Sequence, residues 1–290
     1  MISVIIPTYN RARTIERSVS SVRKQSYQDI EIIVVDDCST DETESVIKSM
    51  SDCRITYYKL ERNSGACTAR NKGIELAHGE YIAFQDSDDE WHENKLDLQL
   101  RALLDNSADI VFCGHTKISL NNERKIIPVN VEEGFLTQQN LLYESLASTQ
   151  TILGKSEAIK EIQFDSRLPR MQDYDFIIRA SGLYSVYYLN QVLVNVYEQT
   201  DSITATRRQY QKRLEISRML LTKHKEVYAV YPRCEVKMLK TIAHCEVMLH
   251  LDASKTLKEI IDKENTAVNK MKMVLYRVGL LKFLFKWTDR

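Results

Sequence analysis

The sequence predicts an α/β protein: a mostly parallel central sheet flanked by helices, followed by a C-terminal helical extension. Two observations lead to this prediction. Short apolar, β-branched runs alternate with helical patterns through the first 114 residues, and polar clusters directly follow several of these runs. The composition supports a sizeable core, because 43% of the 290 residues are hydrophobic and 28% are charged. A strand–helix alternation of this kind forms a parallel sheet with helices on both faces.

Five short runs in the first 114 residues are predicted strands. Most of their residues are Val, Ile, Phe or Tyr, which are enriched in strands, and the second run is of the type expected of a strand buried on both faces. The runs are Ser3–Ile6, Ile30–Val35, Ile55–Leu60, Tyr81–Phe84 and Asp109–Cys113.

Helical patterns fill the gaps between these strands. Ile15, Val19 and Val22 recur at i, i+4 and i+7, which marks one face of a helix. Ser39 and Glu42 have the spacing of a capping box, which predicts that a helix starts there. Further helices are predicted at Ala66–Ala77 and from Leu96 to Leu103.

The pattern changes after residue 114. Short strands and helices mix from 115 to 205, which predicts an α+β half that closes over the edge of the sheet. From 206 to 290 nearly every segment is helical in pattern, with a break expected at Pro232. We therefore expect a domain over 1–205, with halves 1–114 and 115–205, and a helical region over 206–290.

Polar clusters end three of the predicted strands. They are Thr8-Tyr9-Asn10, Asp36-Asp37 and Asp86-Ser87-Asp88. In open parallel sheets, ligands bind beyond the carboxyl ends of the strands, so these clusters are expected to meet at one edge. This convergence is the main physical indication of a functional site.

The acidic run Asp86-Ser87-Asp88-Asp89 indicates a metal site. Carboxylates this close repel one another unless a cation lies among them. Magnesium and manganese suit such oxygen ligands, and Mg²⁺ commonly takes one or two carboxylates plus substrate phosphates. A solvated acidic turn is the alternative for an isolated motif, but the preceding strand favours the metal.

Three other polar residues have both a binding and a structural interpretation. Asp37 could accept a hydrogen bond from the imide N–H of uracil, or it could cap a helix. Arg70, on the helix after Gly65, could pair with a carboxylate or phosphate, or it could be solvated. Asp173 opens a predicted helix, where an acid often only stabilises the N-terminus.

Taken together, these segments resemble glycosyltransferase family 2, an inverting family with the Rossmann-like GT-A fold. They stand in the family's order and cover about residues 1–205. The matching stretches are SVIIPTYNR at 3–11, VDDCSTD at 35–41, NSGACTARNKG at 63–73, GEYIAFQDSDD at 79–89 and QDYD at 172–175.

The resemblance implies roles for eight residues. Pro7, Thr8 and Asn10 would line a uridine pocket. Asp37 would bind the uracil ring, and Arg70 would lie near the base and the diphosphate. Asp86 would contact the ribose or a divalent metal, Mn²⁺ or Mg²⁺. Asp88 would ligate that metal directly, and Asp173 would be the catalytic base.

The sequence departs from the family pattern in three places. Gln172 stands where the family usually has Glu. That Glu often contacts the acceptor, so the substitution changes this contact. The Gln-x-x-Arg-Trp motif of processive members is absent, which favours transfer of a single sugar. The His that many members carry before a Ser-Ile-Thr-like segment is also absent, and Arg207 or Arg208 could replace it.

The resemblance implies an inverting glycosyltransferase that moves one sugar from a UDP-sugar donor to an acceptor hydroxyl. A role in bacterial surface polysaccharide or glycan synthesis is expected, with a saccharide or lipid-linked saccharide as acceptor. Two alternatives remain open. A sugar nucleotidyltransferase would release pyrophosphate without needing Asp173, and a non-catalytic nucleotide-sugar-binding module would bind UDP without turnover.

Other partners and the location follow from composition. The 40 acidic and 40 basic residues balance, so no nucleic-acid partner is expected. None of the six cysteines forms a C-x-x-C pair and no His cluster stands beside them, which argues against a zinc site and favours reduced thiols in the cytoplasm. The N-terminus is unlike a signal peptide, and no apolar run approaches the roughly 18 residues of a membrane span.

The last residues, 268–290, are basic and carry apolar and aromatic side chains. A helix of this composition can lie in an anionic membrane surface, here at the inner face of the cell membrane. Alternatively, it packs on the catalytic domain or on a second copy in a homo-oligomer. The sequence leaves these alternatives open.

Overall fold

A computed structural model describes residues 1–143, 146–198 and 207–281, and every structural statement below concerns these residues. The chain divides into two compact units, Met1–Ser202 and Ile203–Arg290. Each unit is described by itself.

A single twisted sheet organises the first unit. Along its main path the strands follow the order β3-β2-β1-β4-β9-β6-β10-β5, while β7 pairs with β6 and β8 pairs with β10. The strands are β1 Ile2–Thr8, β2 Ile30–Asp36, β3 Ile55–Lys59, β4 Tyr81–Phe84, β5 Glu90–Trp91, β6 Ile110–Ile118, β7 Arg124–Ile127, β8 Gly134–Phe135, β9 Ile152–Lys155 and β10 Val186–Tyr197.

Most strands on the main path run in one direction, as predicted. β1 pairs in parallel with β2 and β4, β2 with β3, and β6 with β10. β9 pairs antiparallel with both β4 and β6, so it joins two groups of parallel strands. This short inserted strand was not predicted from the sequence.

The described residues of the first unit form seven helices, which confirm the predicted alternation. They are α1 Ile15–Arg23, α2 Thr43–Ser49, α3 Ala66–Leu76, α4 Lys95–Asp105, α5 Gln138–Tyr143, α6 Ser156–Ile162 and α7 Gln172–Leu183. A short 3₁₀ turn, Thr149–Thr151, precedes β9.

The predicted capping box at Ser39 is wrong. Helix α2 begins at Thr43, with Glu42 at its N-cap and no side-chain cap. The Ser39 hydroxyl instead accepts a hydrogen bond from the backbone N–H of Asn10, 2.8 Å away. A contact between two loops has therefore replaced the local cap.

Among the described residues, two large apolar clusters contribute to the core of this unit. One includes Val4, Val19 and Leu103, and the other includes Ile5, Ile74 and Phe176. Because neighbouring residues of a strand point to opposite faces, Val4 and Ile5 belong to different layers. Helix α3 approaches β1 very closely, since a Cβ at Gly73 would lie 2.3 Å from Ile5 Cγ2.

The second unit is helical over its described residues, 207–281, as predicted. Its helices are α8 Arg207–Lys223, α9 Lys225–Val230, α10 Pro232–Met248, α11 Ser254–Lys263 and α12 Ala267–Arg277. Pro232 is the first residue of α10, which confirms the break expected there. Apolar residues of α10 and α11, including Leu239 and Leu257, form its core. Among the described residues of the whole chain, no helix has the length and apolarity needed to cross a bilayer.

Candidate active site

A cavity of about 320 Å³ lies at the carboxyl ends of β1, β2 and β4. Six of the eight residues proposed from the sequence line it, namely Pro7, Thr8, Asp37, Arg70, Asp86 and Asp88. Asn10 and Asp173 are not among its lining residues. The cavity also includes Tyr9, Arg11, Ala66, Ala69 and Ser87, which had no assigned role.

The loops after β1 and β2 are joined by hydrogen bonds. The last residue of β1, Thr8, pairs with Asp36, and the Asp37 N–H donates to the Thr8 carbonyl over 2.8 Å. Asn10 adopts a positive φ of 52°, which Asn tolerates better than most residues. Its side-chain oxygen accepts from the Thr40 N–H at 2.9 Å. The structure therefore gives Asn10 a positioning contact beside the cavity.

Asp37 ties the loop before α3 to the end of β2. Its two carboxylate oxygens accept backbone N–H groups from Ser64, at 2.6 Å, and from Gly65, at 2.8 Å. Gly65 has a φ of 90°, a conformation that is strained for residues with a Cβ. A carboxylate offers about four acceptor positions, so Asp37 can still accept a hydrogen bond from a ligand.

The Thr8 hydroxyl is a buried polar group that lines the cavity. It has no hydrogen-bond partner among the described residues. Leaving such a group unpaired costs about 1–3 kcal/mol. A polar ligand in the cavity would remove this cost, so the orphan hydroxyl supports a binding role for this edge of the sheet.

The acidic turn after β4 is held by helix α1. Ser18 Oγ donates to the Asp86 carbonyl at 2.9 Å, and the Arg17 guanidinium donates to the Asp88 carbonyl. The side chains of Asp86 and Asp88 thereby face the cavity. Asp88 lies 3.5 Å from the guanidinium of Arg11. Burial and the Asp86 charge raise the pKa of Asp88, while Arg11 lowers it.

Asp89, the last acid of this run, has a structural role. Its carboxylate accepts hydrogen bonds from the Gln150 side chain at 2.9 Å and from the Tyr197 N–H at 3.0 Å. Burial, followed by the charges of Asp86 and Asp88, raises its pKa well above the ordinary value. Asp89 thus links the acidic turn to β10 and is not a cavity residue.

Arg70 joins the cavity to the start of helix α7. Its guanidinium donates to Asp86 Oδ1 and to Gln172 Oε1, both at 2.8 Å. The side chain is almost fully buried and lies over the Phe164 ring, 5.4 Å from its centroid. The sequence assigned Gln172 no partner within the chain, and only the fold shows that it meets Arg70.

Asp173 follows Gln172 in the first turn of α7. One of its carboxylate oxygens accepts the Tyr174 N–H at 2.8 Å. Burial raises the pKa of Asp173, Arg70 lowers it, and Asp86 raises it further. The charges of Arg70 and Asp86 therefore act on Asp173, although it does not line the cavity.

Asp86 and Asp88 fit a divalent metal whose remaining ligands are substrate phosphates and water. The described residues contain no group of three or more His, Cys, Asp or Glu side chains poised to hold a metal. Two carboxylates on one cavity match the usual Mg²⁺ arrangement, in which substrate phosphates and water complete the shell. The raised pKa of Asp88 agrees, because a cation would relieve the carboxylate repulsion.

One departure from the family pattern falls where the structure gives no description. The segment in which many members carry a His precedes Ser202, and residues 199–206 lie outside the described part of the chain. The suggested replacement by Arg207 or Arg208 therefore stays a prediction.

The fold and the cavity define an α/β enzyme with an acidic site at the carboxyl edge of its sheet, and comparison with known proteins identifies its class as glycosyltransferase. Residues 3–161 match the family described as "Glycosyl transferase family 2". The chain belongs to this family, and its fold is GT-A.

Related proteins have names that refer to bacterial polysaccharides. TuaG of Bacillus subtilis, named for teichuronic acid biosynthesis, is 31% identical over 82% of this chain and 96% of the relative. The amylovoran biosynthesis glycosyltransferase AmsB of Erwinia amylovora is 34% identical over 67% of this chain and 69% of its own length. WfgD of Escherichia coli is named a UDP-Glc:α-D-GlcNAc-diphosphoundecaprenol β-1,3-glucosyltransferase. It is 38% identical over 50% of this chain and 54% of its own.

Two solved structures share the fold at low sequence identity. Staphylococcus aureus TarS 1–349 in complex with UDP-GlcNAc has a TM-score of 0.66 and 19% identity, covering 97% of this chain and 88% of TarS 1–349. The mannosyltransferase PcManGT of Pyrobaculum calidifontis, in complex with GDP-Man and Mn²⁺, has a TM-score of 0.59 and 18% identity. That match covers 100% of this chain and 87% of PcManGT.

Proposed function

We propose that this glycosyltransferase transfers a single sugar from a UDP-sugar to an acceptor hydroxyl, with inversion at the anomeric carbon. The observation that carries the proposal is the Arg70 bridge, which connects the acidic turn of the cavity to the helix that bears Asp173. Asp37 at the same cavity supplies an acceptor for the uracil N–H. The complex of TarS with UDP-GlcNAc supports a uridine donor.

The chain's own residues supply the binding and the proton transfer. Pro7, Thr8 and Asp37 would hold the nucleotide, and Asp86 and Asp88 would hold a divalent metal beside the donor diphosphate. When bound, Mn²⁺ or Mg²⁺ supplies positive charge that stabilises the leaving UDP. Asp173 would accept the proton of the acceptor hydroxyl as that oxygen attacks the anomeric carbon.

A single displacement of this kind inverts the anomeric configuration. The acceptor oxygen forms a bond to the anomeric carbon while the bond to UDP breaks on the opposite side. One base is sufficient for this reaction, whereas a glycosidase needs a second carboxyl group that flanks the bond. Single transfer is further supported by the absence of a Gln-x-x-Arg-Trp motif from the sequence.

We further propose that the acceptor is a lipid-linked saccharide used in surface polysaccharide synthesis. The name of WfgD includes a diphosphoundecaprenol acceptor, and the names of TuaG and AmsB refer to polysaccharides. Helix α12 supports contact with a membrane at the cytoplasmic face, because three of its apolar side chains and that of the residue after it are more than half exposed. They are Val268, Met271, Val274 and Val278.

The apolar stripe on α12, defined by these four residues, has a basic border. The residues recur at intervals of three and four, which places them on one face of the helix. Lys270 and Arg277 lie beside the stripe on the same helix and are exposed. Apolar side chains bordered by basic ones are typical of a helix that lies in an anionic membrane surface.

A donor screen tests the class of substrate. The purified protein is incubated with Mn²⁺ and a panel of UDP- and GDP-sugars, because the two fold neighbours bind different nucleotides. Slow hydrolysis is followed through release of the nucleoside diphosphate. We expect UDP release from one donor and its loss on addition of a chelator. Release of GDP instead, or release that chelation leaves unchanged, would contradict the proposal.

A further inference from the structure

A second cavity, of about 340 Å³, lies within the helical unit between α8, α10, α11 and α12. Its charged lining residues are all basic: Arg213, Lys237, Lys240 and Lys272. No Asp or Glu is among the lining residues that the structure describes. This basic cavity belongs to a unit that carries none of the eight residues with proposed donor-binding, metal-binding or catalytic roles.

We infer that the basic cavity binds the phosphate or diphosphate group of an organic anion. Lys and Arg donate charge-assisted hydrogen bonds to phosphate oxygens, and every charged residue of the described lining is of one of these two types. Leu257 and Ile260 add apolar surface to the same cavity. The volume lies at the lower end of the range for small-molecule sites, which suits a phosphate with a limited apolar substituent.

The charges that line the cavity favour an anion. Lys240 forms an ion pair with Glu264, which is not a lining residue, with 2.5 Å between Nζ and Oε2. Burial and the neighbouring Lys240 charge lower the pKa of Lys272, while Glu264 raises it. Lys272 is therefore a partly buried cation whose charged form a bound phosphate would stabilise.

The cavity adjoins the apolar stripe on α12. Lys272 follows Val268 by four positions, so the two side chains are neighbours on the helix surface. An anion in the basic cavity would thus sit next to exposed apolar side chains. Two sources have this chemistry, the headgroup of an anionic lipid and a free phosphate compound.

The experiment compares a Lys237→Gln/Lys272→Gln variant with a matched control, Lys255→Gln/Lys258→Gln. The control removes two exposed charges from α11 outside the cavity. The Lys240–Glu264 pair stays intact in both. Binding of inorganic pyrophosphate to the full chain is measured by calorimetry, with saturating UDP present so that the donor cavity is occupied.

We expect pyrophosphate to bind the wild-type chain and the control equally, and to bind the cavity variant about tenfold or more weakly, a difference of about 1.4 kcal/mol. Lys272→Arg, which keeps the charge, should retain binding. Equal pyrophosphate affinity in all four proteins would overturn the inference. It would also be overturned if the wild type bound neither pyrophosphate nor the anionic vesicles described below.

Vesicle sedimentation distinguishes the two sources. The same proteins are mixed with phosphatidylcholine vesicles that contain or lack phosphatidylglycerol. Binding that requires phosphatidylglycerol and is weakened in the cavity variant identifies a lipid headgroup. If pyrophosphate binding depends on the cavity lysines but no such vesicle binding occurs, the ligand is a free phosphate compound. Neither readout depends on glycosyl transfer, so a failure here is separate from a failure of the proposed function.

Discussion

At the scale of single residues, Arg70 is the side chain on which the candidate site depends most. It is nearly buried, and it reaches one residue of the acidic turn and one residue of α7 through two hydrogen bonds of 2.8 Å. A guanidinium can donate in two directions from a planar fork, whereas an ammonium acts as a compact point charge. The geometry of the site therefore depends on arginine at this position.

We expect Arg70→Lys to lower kcat/KM by about tenfold or more, because Lys cannot hold Asp86 and Gln172 together. Steady-state kinetics with the identified donor measures this loss. Arg179→Lys is the matched control, since Arg179 also pairs with a buried acid, Asp175, outside the cavity. If Arg179→Lys lost as much activity as Arg70→Lys, the effect would be general destabilisation.

Asp173→Asn should abolish transfer and leave UDP affinity nearly unchanged. A general base contributes about 10²–10⁴ in rate, and Asn cannot accept the proton. Single-turnover assays measure transfer, and calorimetry measures UDP binding. Near wild-type transfer by Asp173→Asn would show that another group is the base.

The pH dependence of kcat provides a second test of Asp173 as the base. Burial raises the pKa of Asp173, and the base acts only when it is deprotonated. We therefore expect kcat to fall as the pH drops through this raised pKa, at a higher pH than an ordinary aspartate would give. A profile that stays flat down to the ordinary range of Asp would contradict the assignment.

Sequence patterns predicted which residues line the cavity more easily than they predicted the contacts between residues. Asp37, Asp86 and Asp88 were found because each follows a strand, and all three line the cavity. The sequence could not show that Asn10 bonds to Thr40, or that Gln172 meets Arg70, since these contacts join residues 30 and 102 positions apart. Such distant pairings depend on how the loops close in three dimensions.

At the scale of elements, the strand–helix alternation was predictable and the irregular second half was less so. The strands of the first 114 residues are apolar runs with clear ends, and β1 to β4 match their predicted positions closely. β9 spans only four residues and contains Gly154 and Lys155, so it lacks a distinctive strand pattern. Its place between β4 and β6 depends on pairing at both edges.

Helix α4 contains a buried cation that lowers stability. Lys95 is fully buried, with Nζ 3.8 Å from the centroid of the Trp91 ring and no hydrogen-bond partner among the described residues. Burial lowers its pKa from 10.5 to about 8. Charging it in the folded state is therefore costly, and the full cost applies at pH values below about 8.

Lys95→Met should raise the free energy of unfolding by about 1–3 kcal/mol at pH 7, since a buried charge is replaced by an apolar side chain of similar length. The gain should shrink as the pH rises from about 8 towards 10.5, where unfolded Lys is also neutral. Urea unfolding at several pH values measures it, with the exposed Lys24→Met as control. A lower stability of Lys95→Met at pH 7 would show that the ammonium contributes a favourable interaction.

At the scale of the whole molecule, the two compact units have different chemistry. The first carries the proposed donor and catalytic residues, and the second carries the basic cavity and the apolar stripe on α12. The family match ends at residue 161, so the helical unit lies outside it. The family match therefore assigns no function to the features of that unit.

Val274→Asp/Val278→Asp should weaken binding to anionic vesicles by about tenfold or more, because two acids replace apolar contacts in the stripe. Vesicle sedimentation measures this, with Val230→Asp/Leu251→Asp as control, since those apolar residues are also exposed in the helical unit. The stripe could instead be covered by a second copy of the chain, and sedimentation equilibrium of the wild type and the variant tests this alternative. A wild-type dimer that the variant disrupts would show that a second copy covers the stripe.

The insertion of β9 has a consequence for how the chain folds during synthesis. β4 and β6 emerge early, but each pairs with β9, which ends only at Lys155. Until that residue leaves the ribosome, the facing edges of β4 and β6 have unpaired backbone groups, and such edges invite pairing with other chains. The nascent chain therefore depends on a strand that emerges after both of its neighbours to join the two groups of parallel strands, and the facing edges of β4 and β6 favour aggregation until Lys155 emerges.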